Sequence, residues 1–340
     1  MRVTLRDVAQ LAGVSPATVS LVLNERSEGR VSEELAARVR NAAATLKYRP
    51  NLLARSLRTQ ETRTFGLISR DIATTPFAGA MLAGAQHIAW QRNSLLLFVN
   101  SDGDLDHERT EVASLIQRQV DGFMLGAMYH QKVEIPENLQ DQRLVLLDCV
   151  DGAGRYDSVV PDEYQGAHDA VALLVSMGHR RIAHVTTTDQ TIAATERLRA
   201  YRDVLQAAGL GNEMVVRCEG GEAQGGFAAM QQILRGPALP TAIFCYTDRM
   251  AMGVMDAARE AGLRIPADLS IMGFDNQPYL ADAMRPALTT INLPHYEMGV
   301  WAASRLIPHS DSQDSEPAGP TQVKAHCAVV MRDSVAPPGT

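Results

Sequence analysis

The sequence predicts a small all-α helix-turn-helix headpiece followed by an α/β core of two doubly wound parallel-sheet lobes. Three observations predict it. Two short segments with apolar residues at helical spacing stand on either side of Gly13 within the first 24 residues. A break at Tyr48-Arg49-Pro50 ends a third helical segment. From Thr64 onward, short apolar runs alternate with helical ones in two successive sets, the pattern that builds parallel sheets.

Thr4 with Asp7 forms a capping-box start, and Val8, Leu11 and Ala12 then place an apolar face on a short helix that Gly13 ends. Ser15 caps a second helix whose first position is Pro16, where a missing N–H costs nothing. Val19, Val22 and Leu23 face inward, and Ala17, Ser20, Leu21 and Asn24 form the outward stripe that a recognition helix would lay in the major groove. The spacing alone also suits two helices of an unrelated three-helix bundle. A third helix runs from about Ser32 to Leu46, with Leu35, Val39, Ala43 and Leu46 on one side, before the proline break. Residues 1–50 are therefore read as the headpiece and 51–63 as a hinge helix and linker.

The core begins with TFGLIS, SLLLFVN, DGFMLGA and RLVLLDC, the last of these taken as the final strand of the first lobe, with helices near 78–92 and 106–119. RRIAHVT, TAIFCYT and DLSIMGFD form a second set, with helices near 163–177, 195–208, 224–235 and 249–262. Ligands of open α/β sheets sit beyond the carboxyl ends of the strands, so two facing lobes make a cleft lined by strand-end loops. The tract at 308–320 reads as a polar surface loop before a last strand near Val323–Val330.

The 340 residues are 46% hydrophobic, enough to bury at least one full core. Net charge is −7, but residues 1–63 carry 11 Lys plus Arg against 6 Asp plus Glu, a basic segment on an acidic body. That division suits a phosphate-binding module attached to a soluble domain. Cys149, Cys218, Cys245 and Cys327 are scattered without disulfide or zinc spacing, so neither a disulfide framework nor a metal site is expected, and the cytoplasm is the natural compartment. No apolar run reaches the roughly eighteen residues of a membrane span. No cofactor motif is present: G-x-S-x-G, H-E-x-x-H, a phosphate loop and G-x-G-x-x-G after a strand are all missing.

TLRDVAQLAGVSPATVSLVLN, then VSEELAARVRNAAATLKYRPNLLARSLRT, closely resembles the amino-terminal headpiece of the lactose-repressor (LacI/GalR) family of bacterial transcription regulators. VDGFMLG, MGHRRIAHV, DRMAMGVMDAAREAGLRIPADLSIMGFDN and PALTTIN resemble the effector-binding core of the same family, so the likeness covers most of the chain. It implies a periplasmic-binding-protein-like core over 64–340, with a first lobe of about 64–162 plus 292–321 and a second of about 163–291 plus 322–335. It also implies a homodimer, a pseudo-palindromic double-stranded operator, a small-molecule effector of sugar type, and repression.

By this resemblance Pro16, Ala17 and Leu21 set the operator sequence, and here they offer only apolar contact, for instance with thymine methyls. Ser15, Thr18, Ser20 and Asn24, together with Thr4, suit phosphate or base-edge hydrogen bonds. NLLARSLRT is too short to be stable alone in water and is expected to order on DNA. Leu57 matches the family's minor-groove wedge, flanked by Ala54 and Arg58.

For the effector, the resemblance marks Phe77 as a stacking aromatic, and Asp148, Arg197, Thr247 and Asp275 as polar groups facing the cleft. Carboxylates accept from hydroxyl pairs and a guanidinium offers a fork of donors, which fits a sugar. Thr247 stands where relatives often have Asn, and Gly221 where some have an aromatic, leaving stacking to Phe77, Tyr129 or Tyr246. Asp248 is expected to cap the following helix, and Met250, Met252 and Met255 to fill the core. Two other readings share the core fold: a glycoside-acting enzyme using Asp148 and Asp275 as an acid/base pair, and a transport-linked sugar-binding protein. The missing catalytic motifs disfavour the first and the basic headpiece disfavours the second.

Overall fold

The computed structural model describes residues 3–23, 29–48, 56, 61–71, 75–211, 213–308 and 319–339. The chain divides into two compact units, Met1–Thr62 and Arg63–Thr340.

In the first unit, α1 (Leu5–Ala12), α2 (Pro16–Leu23) and α3 (Glu33–Thr45) enclose one small core. The capping box is complete: Thr4 N and Oγ1 donate to Asp7 Oδ2, each at 2.8 Å, and Asp7 N donates back to Thr4 Oγ1. Gly13 adopts φ 66°, the left-handed cap that turns the chain toward α2. Ser15 Oγ accepts from Thr18 N at 3.1 Å and starts α2. Val8, Ala9, Ala12, Val19, Val22, Ala36, Val39, Ala42 and Ala43 form the buried set. Leu11, read as part of the inward face, is 54% exposed, because Ala9 takes the buried position on α1. Arg38 ties α3 to the end of α1 by donating from Nη2 to the Ala12 carbonyl at 2.6 Å.

The second unit holds two sheets. The first lobe is built on β1 (Thr64–Ser69), β2 (Leu95–Asn100), β3 (Phe123–Val133), β4 (Leu144–Asp151), β5 (Asp157–Pro161) and β11 (Gln322–Ala325), in the order β11-β5-β4-β3-β1-β2 with parallel pairing throughout. β4 is therefore not its last strand. Residues 322–325, read as belonging to the second lobe, pair with β5 and extend the first. The expected single strand near Val323–Val330 is split, because the chain leaves this sheet at His326-Cys327 and resumes as β12 (Ala328–Val330) against β10 (Thr290–Asn292). The second lobe has β6 (Ile182–Thr187), β7 (Met214–Cys218), β8 (Ala242–Cys245) and β9 (Ser270–Met272) in the order β7-β6-β8-β9, again parallel.

Helices flank both sheets: α4 (Ala78–Gln91), α5 (Leu105–Gln117) and α10 (His295–Leu306) in the first lobe, α6 (Glu163–Ser176), α7 (Ile192–Ala207), α8 (Ala223–Leu234) and α9 (Asp248–Glu260) in the second. The chain crosses between lobes after β5, after β10 and after β11, so each lobe is assembled from separated stretches of sequence.

Each lobe contains one helix pair in backbone contact. In α4 and α10, a Cβ on Gly84 would collide with the Tyr296 carbonyl and one on Gly299 with the Met81 carbonyl. In α8 and α9, a Cβ on Gly226 would meet the Met250 carbonyl and one on Gly253 the Ala223 carbonyl. Only a hydrogen at each crossing lets the axes approach so closely, and a methyl there is overpacking. Gly84→Ala is therefore expected to destabilise the full-length protein by about 1–3 kcal/mol in urea unfolding. Gly79→Ala, in the same helix with nothing within 4 Å of the added Cβ, is expected to stabilise it slightly through higher helix propensity.

Candidate functional site

Of the residues expected to meet DNA, Ser15, Pro16 and Ala17 lie exposed at the start of α2, while Thr18, Ser20 and Leu21 are half-buried beside the inward-facing Val19 and Val22. The Ser15 hydroxyl is shared with Thr18 Oγ1 at 2.9 Å, and Thr4 is exposed with its hydroxyl engaged in the α1 cap. Small side chains leave the α2 backbone open to close approach by a groove. Asn24, Ala54, Leu57 and Arg58 lie outside the described residues.

In the second unit, strand ends bring charged groups from both lobes together. Arg197, on α7, is only 3% exposed. Its Nε donates to Glu163 Oε2 at 2.7 Å, its Nη1 donates to the Tyr246 carbonyl at 2.5 Å, and Nη1 stands 3.8 Å from Asp275 Oδ1. The guanidinium lies over the Phe274 ring at 3.6 Å and the Tyr246 ring at 4.6 Å. Burial opposes its charge, but Glu163, Tyr246 and Asp275 more than compensate and hold its pKa above the usual arginine value.

Asp148, near the end of β4, is 2% exposed and adopts φ 56°. Burial first, and the neighbouring Glu163 second, push its carboxyl well above the usual range, against the His130 amide and Arg197. Its Oδ1 is buried with no hydrogen-bond partner. Tyr129 (φ 68°) and His130 (φ 44°), at the irregular end of β3, and Asp275 (φ 123°), after β9, also have positive φ without being glycine. Such conformations persist only where surrounding contacts fix them; Tyr129 and His130 fall in the register shift between Gly126 and Gln131 of β3, alongside Asp148 of β4, and Asp275 follows β9. Burial raises Asp275 well above the usual range, with Arg197 opposing.

Phe77 caps α4 and stacks on His295 at a centroid distance of 4.8 Å. His295 is buried, which lowers its pKa to about 3, and its Nε2 has no partner; His130 Nδ1 is likewise unpartnered. Thr247 is engaged differently from the expectation. It, rather than Asp248, caps α9: its hydroxyl accepts from Met250 N at 3.1 Å and donates to the Gly221 carbonyl at 2.6 Å. The Asp248 carboxylate instead accepts from Thr290 Oγ1 at 2.5 Å and Gln277 N at 2.7 Å. Met250 and Met255 are core, whereas Met252 is only partly buried and lines a surface groove.

Sequence reasoning missed Glu163, His130 and His295. Glu163 follows the α6 cap Asp162 and reads as an ordinary first-turn acid favoured by the helix dipole. His295 opens a helix that was not anticipated.

Because the folded protein raises the Asp148 pKa, ionisation costs more folded than unfolded. The ligand-free chain therefore loses stability as pH rises above the ordinary carboxylate value of about 4. Asp148→Asn removes this loss. The variant is expected to gain on the wild type between pH 5 and 8, by about 1–3 kcal/mol at most, in urea unfolding without ligand.

Residues 4–51 match the family described as bacterial regulatory proteins, lacI family, and residues 171–335 match the periplasmic binding protein-like domain. The ribose operon repressor of Escherichia coli (strain K12) is 35% identical over 307 residues, covering 89% of this chain and 92% of that protein. A structure of the lac repressor dimer bound to operator and the anti-inducer ONPF superposes with a TM-score of 0.77 at 26% identity, covering 99% of this chain and 100% of that one. A LacI family transcriptional regulator from Enterococcus faecium with bound ribose gives 0.66 at 27% identity, covering 81% of this chain and 99% of that one. With the headpiece, the two-lobed core and a relative matched over nearly its whole length, the chain belongs to the lacI family of bacterial regulatory proteins.

Proposed function

We propose that this chain is a homodimeric transcriptional repressor that binds a near-palindromic operator through α2 and senses a small polar molecule of monosaccharide size in the cleft between the core lobes. The observation that carries the reading is that one chain has both a recognition-type helix starting with exposed Pro16 and Ala17 and carrying half-buried Leu21, and a core in which buried Arg197, Asp148 and Asp275 converge. Relatives named as a ribose operon repressor and as a regulator with bound ribose support a sugar-like effector. Phe77 and His295 offer a flat stack, and the carboxylates and guanidinium suit hydroxyl pairs. Catalysis forms no part of this reading, and the cytoplasm is the compartment in which such a protein meets its DNA.

In this reading the effector changes the angle between lobes through the three crossovers, and so the spacing of the two 51–63 segments in the dimer, which order on DNA with Leu57, flanked by Ala54 and Arg58, in the minor groove. Dimerisation has apolar surface available on both lobes. Trp90, Leu95 and Phe98 are 75%, 54% and 40% exposed. Tyr279, 93% exposed, stands next in sequence to Leu280, which with Met252, Met255 and Met284 lines a groove of about 260 Å³.

Selection of bound sequences from random duplex DNA by the full-length protein, with and without a panel of sugars, tests the function. The expected result is a palindrome whose recovery one sugar changes; failure to enrich any sequence would sink the reading. Leu21→Ala should weaken operator binding by about tenfold while sparing effector affinity, as loss of one apolar base contact per half-site implies. Tyr279→Asp is expected to raise the dimer dissociation constant by at least about tenfold in sedimentation equilibrium, because it buries a charge without a partner.

A further inference from the structure

Midway along its length β3 leaves the ladder it forms with β4. Gly126 pairs with Leu147 and the next pair is Gln131 with Cys149, so residues 127–130 stand opposite Asp148 alone. A detour of this kind breaks the ladder locally and re-aims the side chains beside it. Tyr129, His130 and Asp148 all have positive φ there, which residues other than glycine keep only under restraint from their surroundings.

The restraint comes from the residues that follow β1. Asp71 Oδ1 accepts from the Met128 amide at 2.9 Å. Gln131 Nε2 lies 3.5 Å from Asp71 Oδ2 and donates to the Met128 carbonyl at 3.0 Å. Asp71 and Gln131 together therefore tie the middle of the detour to its exit, while the Met128 side chain is sunk in the first-lobe core. Arg70 steadies the brace. Its Nε and Nη2 bond the two oxygens of buried Glu108 at 2.7 and 2.8 Å, and Nη2 also donates to the Glu134 carbonyl, just past β3, at 2.7 Å. On the far side of the detour the His130 amide donates to the Asp148 carboxyl, whose Oδ1 has no partner.

Resting on the assignment of this cleft as the effector site, we propose that Asp71 is a positioning residue for effector binding: by holding residues 127–130 in place, it sets the His130 amide and, through it, the Asp148 carboxyl. The Met128 amide requires an acceptor rather than a charge, so Asn serves at position 71 and Ala does not. Without the acceptor the strained backbone relaxes, and Asp148 loses the donor that orients it.

Isothermal titration of the full-length protein with D-ribose, D-xylose, D-glucose and D-galactose tests this, the tightest-binding sugar being carried to the variants. Asp71→Ala is expected to weaken binding at least about tenfold and Asp71→Asn less than about threefold, because only alanine leaves the Met128 amide without its acceptor. Operator affinity without sugar is expected to stay at the wild-type value in both. A merely structural bond would instead lower the unfolding midpoint and the competent fraction and leave the Kd of the folded protein unchanged. If Asp71→Ala does not fold, Gln131→Ala decides, with binding expected to weaken at least about threefold through loss of the tie to the Met128 carbonyl. Wild-type sugar affinity in Asp71→Ala, or in Gln131→Ala where that variant decides, overturns the proposal, as does an equal loss in Asp71→Asn and Asp71→Ala. Operator selection, run in parallel, separates the outcomes. A palindrome and sugar binding that Asp71→Ala leaves intact sink this inference alone; binding of none of the four sugars by the wild type, or failure to enrich any sequence, sinks the reading beneath it and this inference with it.

Discussion

The core depends on the buried ion pair between Arg197 and Glu163. Both side chains are nearly solvent-free, and a lone charge at such depth would be prohibitively costly. Their 2.7 Å contact, the Tyr246 carbonyl and two aromatic faces make the guanidinium tolerable there. The pair also joins the starts of two helices, since Glu163 begins α6 and Arg197 lies in the second turn of α7. Asp275, His295 and Asp148 then all lie in a field centred on one fixed cation.

Around that centre the two lobes play unequal parts. The second lobe supplies Arg197, Glu163, Tyr246 and Asp275, already bonded to one another. The first supplies Asp148, His130 and Phe77-stacked His295, whose free polar atoms have no protein partner. On the second lobe, Arg249 Nε and Gln277 Oε1 are likewise buried without a partner.

Much of this was legible in the sequence, and the gaps have physical causes. Caps announced the headpiece: Thr4, Gly13, Ser15 and Ser32 all stand where the local rules place them. Strongly apolar runs announced β1, β3, β4, β6 and β8. β7 (MVVRC) and β5 (DSVVP) were missed because edge or short strands carry weak patterns, and β11 was misplaced because its partner β5 lies more than 150 residues earlier in the chain. In the cleft, a resemblance marked Asp148, Arg197 and Asp275, but Glu163 stayed hidden in an ordinary helix start. Thr247 was marked as a ligand group, yet the geometry engages its hydroxyl in holding the α9 terminus to Gly221. Spacing gives a residue's element; only three-dimensional contact gives its partner.

The glycine crossings bear on the mechanics of the core. Where backbone meets backbone, as at Gly84 with Tyr296 and Gly253 with Ala223, no flexible side chain lies between the helices to absorb a shear. Each lobe is therefore stiff along that seam. A hinge between the lobes would therefore have to fall in the three stretches of chain that pass between them rather than along either helix seam.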